Sequence, residues 1–309
     1  MDETPAERRR VGATLLVVMV CGAAALVWPR RPREANSAVT HAPTVPTVGP
    51  VSAGAVVPRE ARGVLRMDLA GMRRTPAFAG WFEAVRSGRD DCTAALGERI
   101  TALVVVWTST ALDDFVLAAE GPIDEATFRR CAGVHRGRSL DVFARTEAGV
   151  PVLALVGRAG DAGTSAAETW RLPAGVVLLG PPATLHAMLL EARAHPDATA
   201  VTPDLAGLWA EVPAGAIAAG VRRLSPDATR DPVLARARAV SAWLSAEGDA
   251  AVLSATVRCD DAAGATAVAD ALAGLRRVLP DFRAEADDDR VRVRTTLNPA
   301  ALLRLFAMP

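Results

Sequence analysis

The chain has 309 residues with 35 basic and 35 acidic side chains; every basic one is Arg, and there is no Lys, Tyr or Gln. Net neutrality argues against a nucleic-acid partner, which needs a basic surplus gathered on one face, and against an acidic solvating tail. Half of the residues are apolar, enough for most of the chain to fold around a core, and the Lys-free composition reports GC-rich codons before it reports a function.

After a short tail (1–10), residues 11–28 (VGATLLVVMVCGAAALVW) form an uncharged apolar run of 18. At 1.5 Å per residue such a helix is ~27 Å long, just enough to cross a hydrocarbon core of about 30 Å. Arg8, Arg9 and Arg10 precede it; Trp28, Arg30, Arg31 and Arg33 follow it and suit an interfacial belt. Three fates compete for this membrane-directed segment. A retained signal anchor is preferred, because the run stays apolar past a typical signal-peptide core. Cleavage near Ala23-Ala24-Ala25 comes next. Lipidation at Cys21 is third, since Val20 is bulky where a lipobox wants a small residue. Three arginines on each side leave the orientation undecided by charge.

Residues 29–58 form a Pro/Thr-rich spacer whose uncharged part runs from Ala35 to Pro58 and includes His41. Such a stretch is extended and semi-rigid, at roughly 3.1 Å per residue. Spacers of this kind lie on the outer side of bacterial inner membranes. The expected location is therefore single-pass in the inner membrane with the C-terminal part in the periplasm, or secreted if the signal is cleaved.

The remainder alternates strand-like and helix-like segments in two halves, 59–200 and 201–309. Gly63 to Asp68 reads as a strand, and Thr75-Pro76 as the start of a helix to about Arg86. Ile100 to Thr108 is continuously apolar, as expected of a strand covered on both faces. Asp113-Asp114 turn the chain into a strand from Phe115 to Glu120. Asp124 then caps a helix with Ile123, Phe128 and Cys131 inward. Short strands follow at Ser139–Arg145, Val152–Val156, Thr169–Leu172 and Val176–Leu179, then a helix from Pro182 to Arg193 and a helical turn at Leu205 to Ala210.

In the second half, Ala216 to Arg222 reads as a strand. Asp231-Pro232 open an expected helix with Val233, Ala237, Val240 and Leu244 at helical spacing. Ala250 to Cys259 alternates and turns Leu253, Ala255, Val257 and Cys259 to one side. Asp260-Asp261 start a helix with Ala265, Val268, Leu272 and Leu275 on one face and Arg276 and Arg277 at its carboxyl end. Phe282–Ala286 and Val291–Leu297 form a hairpin around Asp287-Asp288-Asp289, and Asn298-Pro299 cap a final helix. Val116, Leu117, Ala119, Asp124 and Ala126 match Val252, Leu253, Ala255, Asp260 and Ala262 at one constant offset, a weak internal repeat. The expected class is α+β, mixed sheets with packed helices, with two diverged split βαβ (ferredoxin-like) halves as its finer form.

Cys92 and Cys131 bracket the central strand and its hairpin partner, a path that returns close to its start. A bridge between them would close a loop of ~40 residues, worth about 4 kcal/mol in the chain-entropy view; two buried free thiols are the alternative. Cys259 reads as a buried thiol. The anchor, the spacer, the strand–helix opening and a cysteine pair bracketing ITALVVVWTSTALDDFVLAAEGPIDEATFRRC together resemble membrane-anchored periplasmic or surface proteins of myxobacteria and similar high-GC bacteria. That resemblance implies a location and carries no activity.

The search for chemistry is nearly empty. His135, His186 and His195 show no pair at i, i+4 spacing, and no G-x-S-x-G, H-E-x-x-H, C-x-x-C or Walker loop occurs. Gly157, Gly160 and Gly163 have the wrong spacing for a dinucleotide fingerprint. Asp287, Asp288 and Asp289 lack the alternation of a Ca²⁺ loop and read as turn residues, as do Asp113 and Asp114. No catalytic residue, metal or cofactor is assigned. The expectation is a non-catalytic binding or structural role in the cell envelope, with an envelope protein as partner. The rivals are a hydrolase or transferase acting on a small anionic ligand through scattered Asp, Glu and Arg, and an envelope assembly factor, which would show an exposed apolar groove. Setting aside the six arginines that flank the apolar run leaves 29 basic against 35 acidic residues; three of the acidic ones, Asp2, Glu3 and Glu7, precede the run, so the part beyond it is still mildly acidic.

Overall fold

The computed structural model describes residues 60–79, 97–109, 115–132, 140–157, 168–195, 203–226, 231–277 and 281–297, with isolated positions between them and at 53–58. The expected anchor with Cys21, the spacer through residue 52, Cys92, the Asp113-Asp114 turn, His135, Gly160, Gly163 and the helix at Asn298-Pro299 lie outside the described residues.

The first strand, β1 (Gly63–Asp68), runs directly into α1 (Leu69–Arg74). The Asp68 carboxylate accepts from the Gly71 N–H at 2.8 Å and caps that helix. This helix lies ahead of the one expected from Thr75. Thr75 closes α1, its hydroxyl donating to the Gly71 carbonyl at 3.0 Å and its N–H to the Met72 carbonyl. Thr75-Pro76 then open a helical turn as expected, 3₁₀ over Pro76–Phe78 with Ala79 and Phe82 helical; most of the expected course to Arg86 lies outside the described residues.

Next come β2 (Ala102–Trp107), β3 (Phe115–Glu120), α2 (Glu125–Ala132), β4 (Leu140–Glu147), β5 (Val150–Gly157), β6 (Glu168–Arg171) and β7 (Val177–Gly180). They are followed by α3 (Pro182–Ala194), α4 (Pro203–Trp209), β8 (Ala218–Arg223), β9 (Ala237–Glu247), β10 (Ala250–Cys259), α5 (Ala262–Ala273), β11 (Arg283–Asp287) and β12 (Arg290–Leu297). The helix expected after Asp231-Pro232 is a second correction. Only Leu234–Arg236 turn helically, and Ala237 onward is the longest strand, β9. Between Ala237 and Ala242 that strand is buried on both faces apart from Arg238, so it shows no two-residue alternation.

The twelve strands of the described residues form one antiparallel sheet in the order β11-β12-β10-β9-β8-β1-β2-β3-β7-β6-β5-β4. The two sequence halves meet where β8 pairs with β1, Met67 opposite Ala218 and Gly63 opposite Arg222. The class is α+β with a large antiparallel sheet and few helices. Each half starts as a meander (β1-β2-β3 and β8-β9-β10), crosses over by a helix (α2, α5) to a parallel strand (β4, β11) and returns as a hairpin. In the second half a single strand, β12, lies between β10 and β11, which is a split βαβ unit. In the first half β5, β6 and β7 all lie between β3 and β4. A complete ferredoxin-like half is not formed, because β1 pairs directly with β2, and β8 with β9, where that topology would interleave another strand.

Alternation along the strands separates two cores. One face carries Leu65, Met67, Val105, Leu253 and Val293 under α1 and α5, where Met72, Val268 and Leu272 are buried. At its far end Ile123 and Phe128 of the α2 region cover Leu153. The opposite face carries Val64, Val104, Ala118, Trp170 and Leu178 under α3, α4 and the segment around Val56, with Leu185, Leu189 and Leu205 buried.

Asp124 caps α2 as its sequence suggested. The Thr127 N–H at 2.6 Å, with Arg99 and the Thr127 hydroxyl, holds the Asp124 carboxyl at about 2 against the ordinary 3.8. A depressed carboxylate stabilises the fold fully above its unfolded value, and that contribution is lost as pH falls through the folded value. The melting-temperature difference between the parent chain and Asp124→Asn should therefore be constant above about pH 4 and change between pH 4 and pH 2. A difference independent of pH across that window would contradict the assignment.

Candidate functional site

Charged groups converge at two places on the face that α3 and α4 cover. Glu211, in the turn after α4, reaches across three strands. Ser241 of β9 donates its hydroxyl to Glu211 Oε2 at 2.5 Å. Arg258 of β10 donates Nη2 and Nε to Oε1 at 2.5 and 3.2 Å, and Arg290 of β12 approaches the same oxygen at 3.4 Å. Burial alone would raise the pKa of Glu211; the Ser241 hydroxyl and the two guanidinium groups outweigh it and hold the carboxyl below its ordinary value. Ser241 itself is fully buried. A serine beside a carboxylate has the outline of a nucleophile and its base, yet a base at neutral pH needs a pKa raised towards 7, and this one moves the other way. The cluster fastens α4 to the sheet.

The second convergence lies at the β4–β5 hairpin. The chain turns through Ala148 and Gly149, both at positive φ (48° and 75°), the signature of a two-residue type I′ turn. Helix α3 clamps it: Arg193 donates to the Ala148 carbonyl, and His186 Nδ1 lies 2.8 Å from Glu147 Oε2. Glu147 Oε1 pairs with Arg145 Nε at 2.8 Å, Arg145 Nη2 reaches Glu168 Oε2 at 2.5 Å, and Trp170 Nε1 donates to that oxygen at 2.6 Å. The Arg145 guanidinium also lies 5.0 Å from the centroid of the buried Trp170 ring. Each charge in this relay is met by a neighbour within it.

The residues singled out in the sequence do not come together. His186 enters the relay, and His195, the residue that ends α3, lies 3.7 Å from Glu191 of that helix. Asp287 pairs with Arg292 at 2.6 Å and Asp289 approaches Arg290 at 3.6 Å, with Asp288 at φ 55° in the turn. Among the described residues, no three His, Cys, Asp or Glu side chains are placed to hold a metal ion. Cys131 belongs to α2, but its pairing with Cys92 lies outside the described residues. Glu211, Ser241, Arg258 and Arg290 went unnoticed because they come from four separate segments with no common spacing. A cavity of about 20 Å³ lined by Leu65, Met67, Ala242, Leu244 and Leu253 has room for one water-sized sphere and an apolar wall.

Cys259 is the buried free thiol its alternation suggested. Burial, followed by the charges of Asp260 and Asp289, pushes the thiol up to about 11, so it stays protonated and unreactive at neutral pH. Native protein treated with iodoacetamide at pH 8 should label at Cys259 at least tenfold more slowly than unfolded protein, read by mass spectrometry of the peptide. Equal rates would contradict this environment.

No protein-family model matches the chain, and no curated protein matches its sequence. Among solved structures, TP0453 in crystal form III superposes with a TM-score of 0.49 at 14% identity, over 84% of this chain and 98% of that one. Crystal form I of TP0453 gives a TM-score of 0.45 at 13% identity, over 83% and 96%. A likeness at this level carries no functional argument.

Proposed function

We propose that this chain is a single-pass, membrane-anchored extracytoplasmic protein with a non-catalytic binding or structural role in a bacterial cell envelope. The observation that carries the non-catalytic part is the state of its best-assembled polar cluster: Glu211 is saturated by Ser241, Arg258 and Arg290, and its pKa is displaced away from that of a general base. Among the described residues no helix is long and apolar enough to cross a membrane, so helical anchoring rests on residues 11–28 with their flanking arginines, and the outward orientation on the spacer through residue 58.

The enzyme reading needs arginines open to an anionic ligand. Arg145, Arg258 and Arg290 instead face Glu147, Glu168 and Glu211 within the protein. Apart from α1, which stands between β1 and β2, the successions β1-β2-β3-α2-β4-β5 and β8-β9-β10-α5-β11-β12 match and support an ancestral duplication, with the β6–β7 hairpin as an insertion in the first copy. Both helices are capped by an aspartate that accepts from the N–H three residues on at 2.6 Å, Asp124 for α2 and Asp261 for α5, the second cap one residue beyond the Asp260 that matches Asp124 at the constant offset.

The test is chemical crosslinking of intact cells followed by purification of the full chain. The same envelope proteins should be recovered in repeated preparations. Recovery of the chain with no envelope component crosslinked to it would overturn the binding role.

A further inference from the structure

Among the described residues the sheet ends in two edge strands, and they are built differently. Edge strand β11 is five residues long with charge at alternate positions, Arg283, Glu285 and Asp287, all exposed. Such an edge repels a further strand. Edge strand β4 is eight residues long, keeps an unbroken register with β5 from Leu140 to Glu147, and interrupts its charged positions 141, 145 and 147 with the apolar Phe143. Among the described residues, the two large apolar side chains that are most exposed are Phe143 of β4 (52%) and Leu190 of α3 (50%), on the same face of the sheet. His186, Leu190 and Arg193 follow helical spacing, and the outer two touch the β4–β5 hairpin.

Which backbone groups of β4 face outward follows from Pro151. It lies opposite Thr146 and has no N–H to give, so that position is a non-hydrogen-bonded pair within the hairpin. Alternation then turns the N–H and C=O of residues 140, 142, 144 and 146 away from β5, and Ala144 and Thr146 are exposed.

We propose that β4 is the interface with a second copy of this chain, the two β4 strands pairing antiparallel about a two-fold axis at Phe143. Of the symmetric registers, this one uses all four outward-facing residues: 142 with 144 and 140 with 146, in both directions. Phe143 meets Phe143 of the second copy in a non-hydrogen-bonded pair, the arrangement in which side chains lie closest, with Cα atoms ~4.5 Å apart. Residue 145 falls opposite residue 141, and Arg145 keeps its pairing with Glu147 and Glu168 inside its own protomer. The occupant is thus specified by the strand's own sequence, and the contact is isologous and closes on itself. The paired strands would make one sheet running through both protomers and would cover the exposed Phe143.

The experiment uses the full chain in detergent. Sedimentation at micromolar concentration should show a dimer. Ala144→Pro places its ring on an outward-facing position and removes no bond to β5, so it should halve the mass while leaving the far-ultraviolet dichroism unchanged. Phe143→Cys should form a disulfide-linked dimer on mild oxidation, above the background of the parent chain. Thr146→Cys should not, because the register separates the two copies of residue 146 by ~20 Å. A parent chain that stays monomeric, a dimer indifferent to Ala144→Pro, or equal crosslinking at 143 and 146 would each overturn the proposal.

Discussion

Replacing Trp170 by Ala is expected to lower the free energy of unfolding by about 3–5 kcal/mol, the range for a large aromatic removed from a core. Trp170 is fully buried on the face covered by α3, among Leu172, Leu178 and Leu189. The loss has two parts. The cavity removes apolar contact, and the missing indole leaves Glu168 with Arg145 alone and removes the ring beneath that guanidinium. Trp170→Phe separates them: it keeps most of the volume and gives up the 2.6 Å hydrogen bond, so its cost should be about 1–2 kcal/mol. Urea denaturation followed by far-ultraviolet dichroism measures both. A loss under about 1 kcal/mol for Trp170→Ala would contradict the packing described.

The second large effect is expected at Gly175, where the turn between β6 and β7 passes over the turn after β3. Gly175 has φ +82°, and a Cβ there would stand 2.0 Å from the Gly121 carbonyl oxygen and 3.1 Å from the Ile123 nitrogen. Both obstacles are backbone, so neither can swing aside as a long side chain would. Gly175→Ala should cost about 3 kcal/mol or more, combining left-handed strain with overpacking. Gly248 provides the control: φ is +60°, and nothing lies within 4 Å of its added Cβ. Gly248→Ala should cost only the conformational part, about 1 kcal/mol. Equal losses at the two positions would show that the close approach to Gly121 is not a constraint.

Much of the chain's local structure is legible in its sequence, and the reasons are specific. β1, β3 and β10 keep the bounds their apolar patterns indicate, and α2 and α5 begin where an aspartate can accept from the N–H three residues on. Where apolar residues occupy both faces of a strand the pattern becomes ambiguous. In β9 the run Ala237, Val240 and Leu244 imitates a helix because the interior of the sheet buries both sides. Thr75-Pro76 mark a helical start as read, and the Thr75 hydroxyl also bonds backwards to Gly71 to close α1, a helix with no such signal of its own.

Sheet order was less accessible. A helical crossover tells that two strands are parallel, not how many strands lie between them, and the β6–β7 hairpin enters that gap in one half only. The candidate site was the least legible part. Glu211, Ser241, Arg258 and Arg290 are joined by antiparallel pairing of β9, β10 and β12, so their proximity exists only once the register is known. Glu147 and His186 likewise meet only because α3 folds back over the hairpin.

The placement of the folded part outside the cytoplasmic membrane, tethered by residues 11–28, is the claim on which the functional reading rests. Its most direct measurement is protease treatment of spheroplasts from cells making the full chain with a C-terminal tag, combined with alkaline extraction of the membranes. The account predicts that the tag is digested in intact spheroplasts and that undigested chain stays with the membrane at alkaline pH. A tag protected until the spheroplasts are lysed, on a chain released by alkaline extraction, would contradict it.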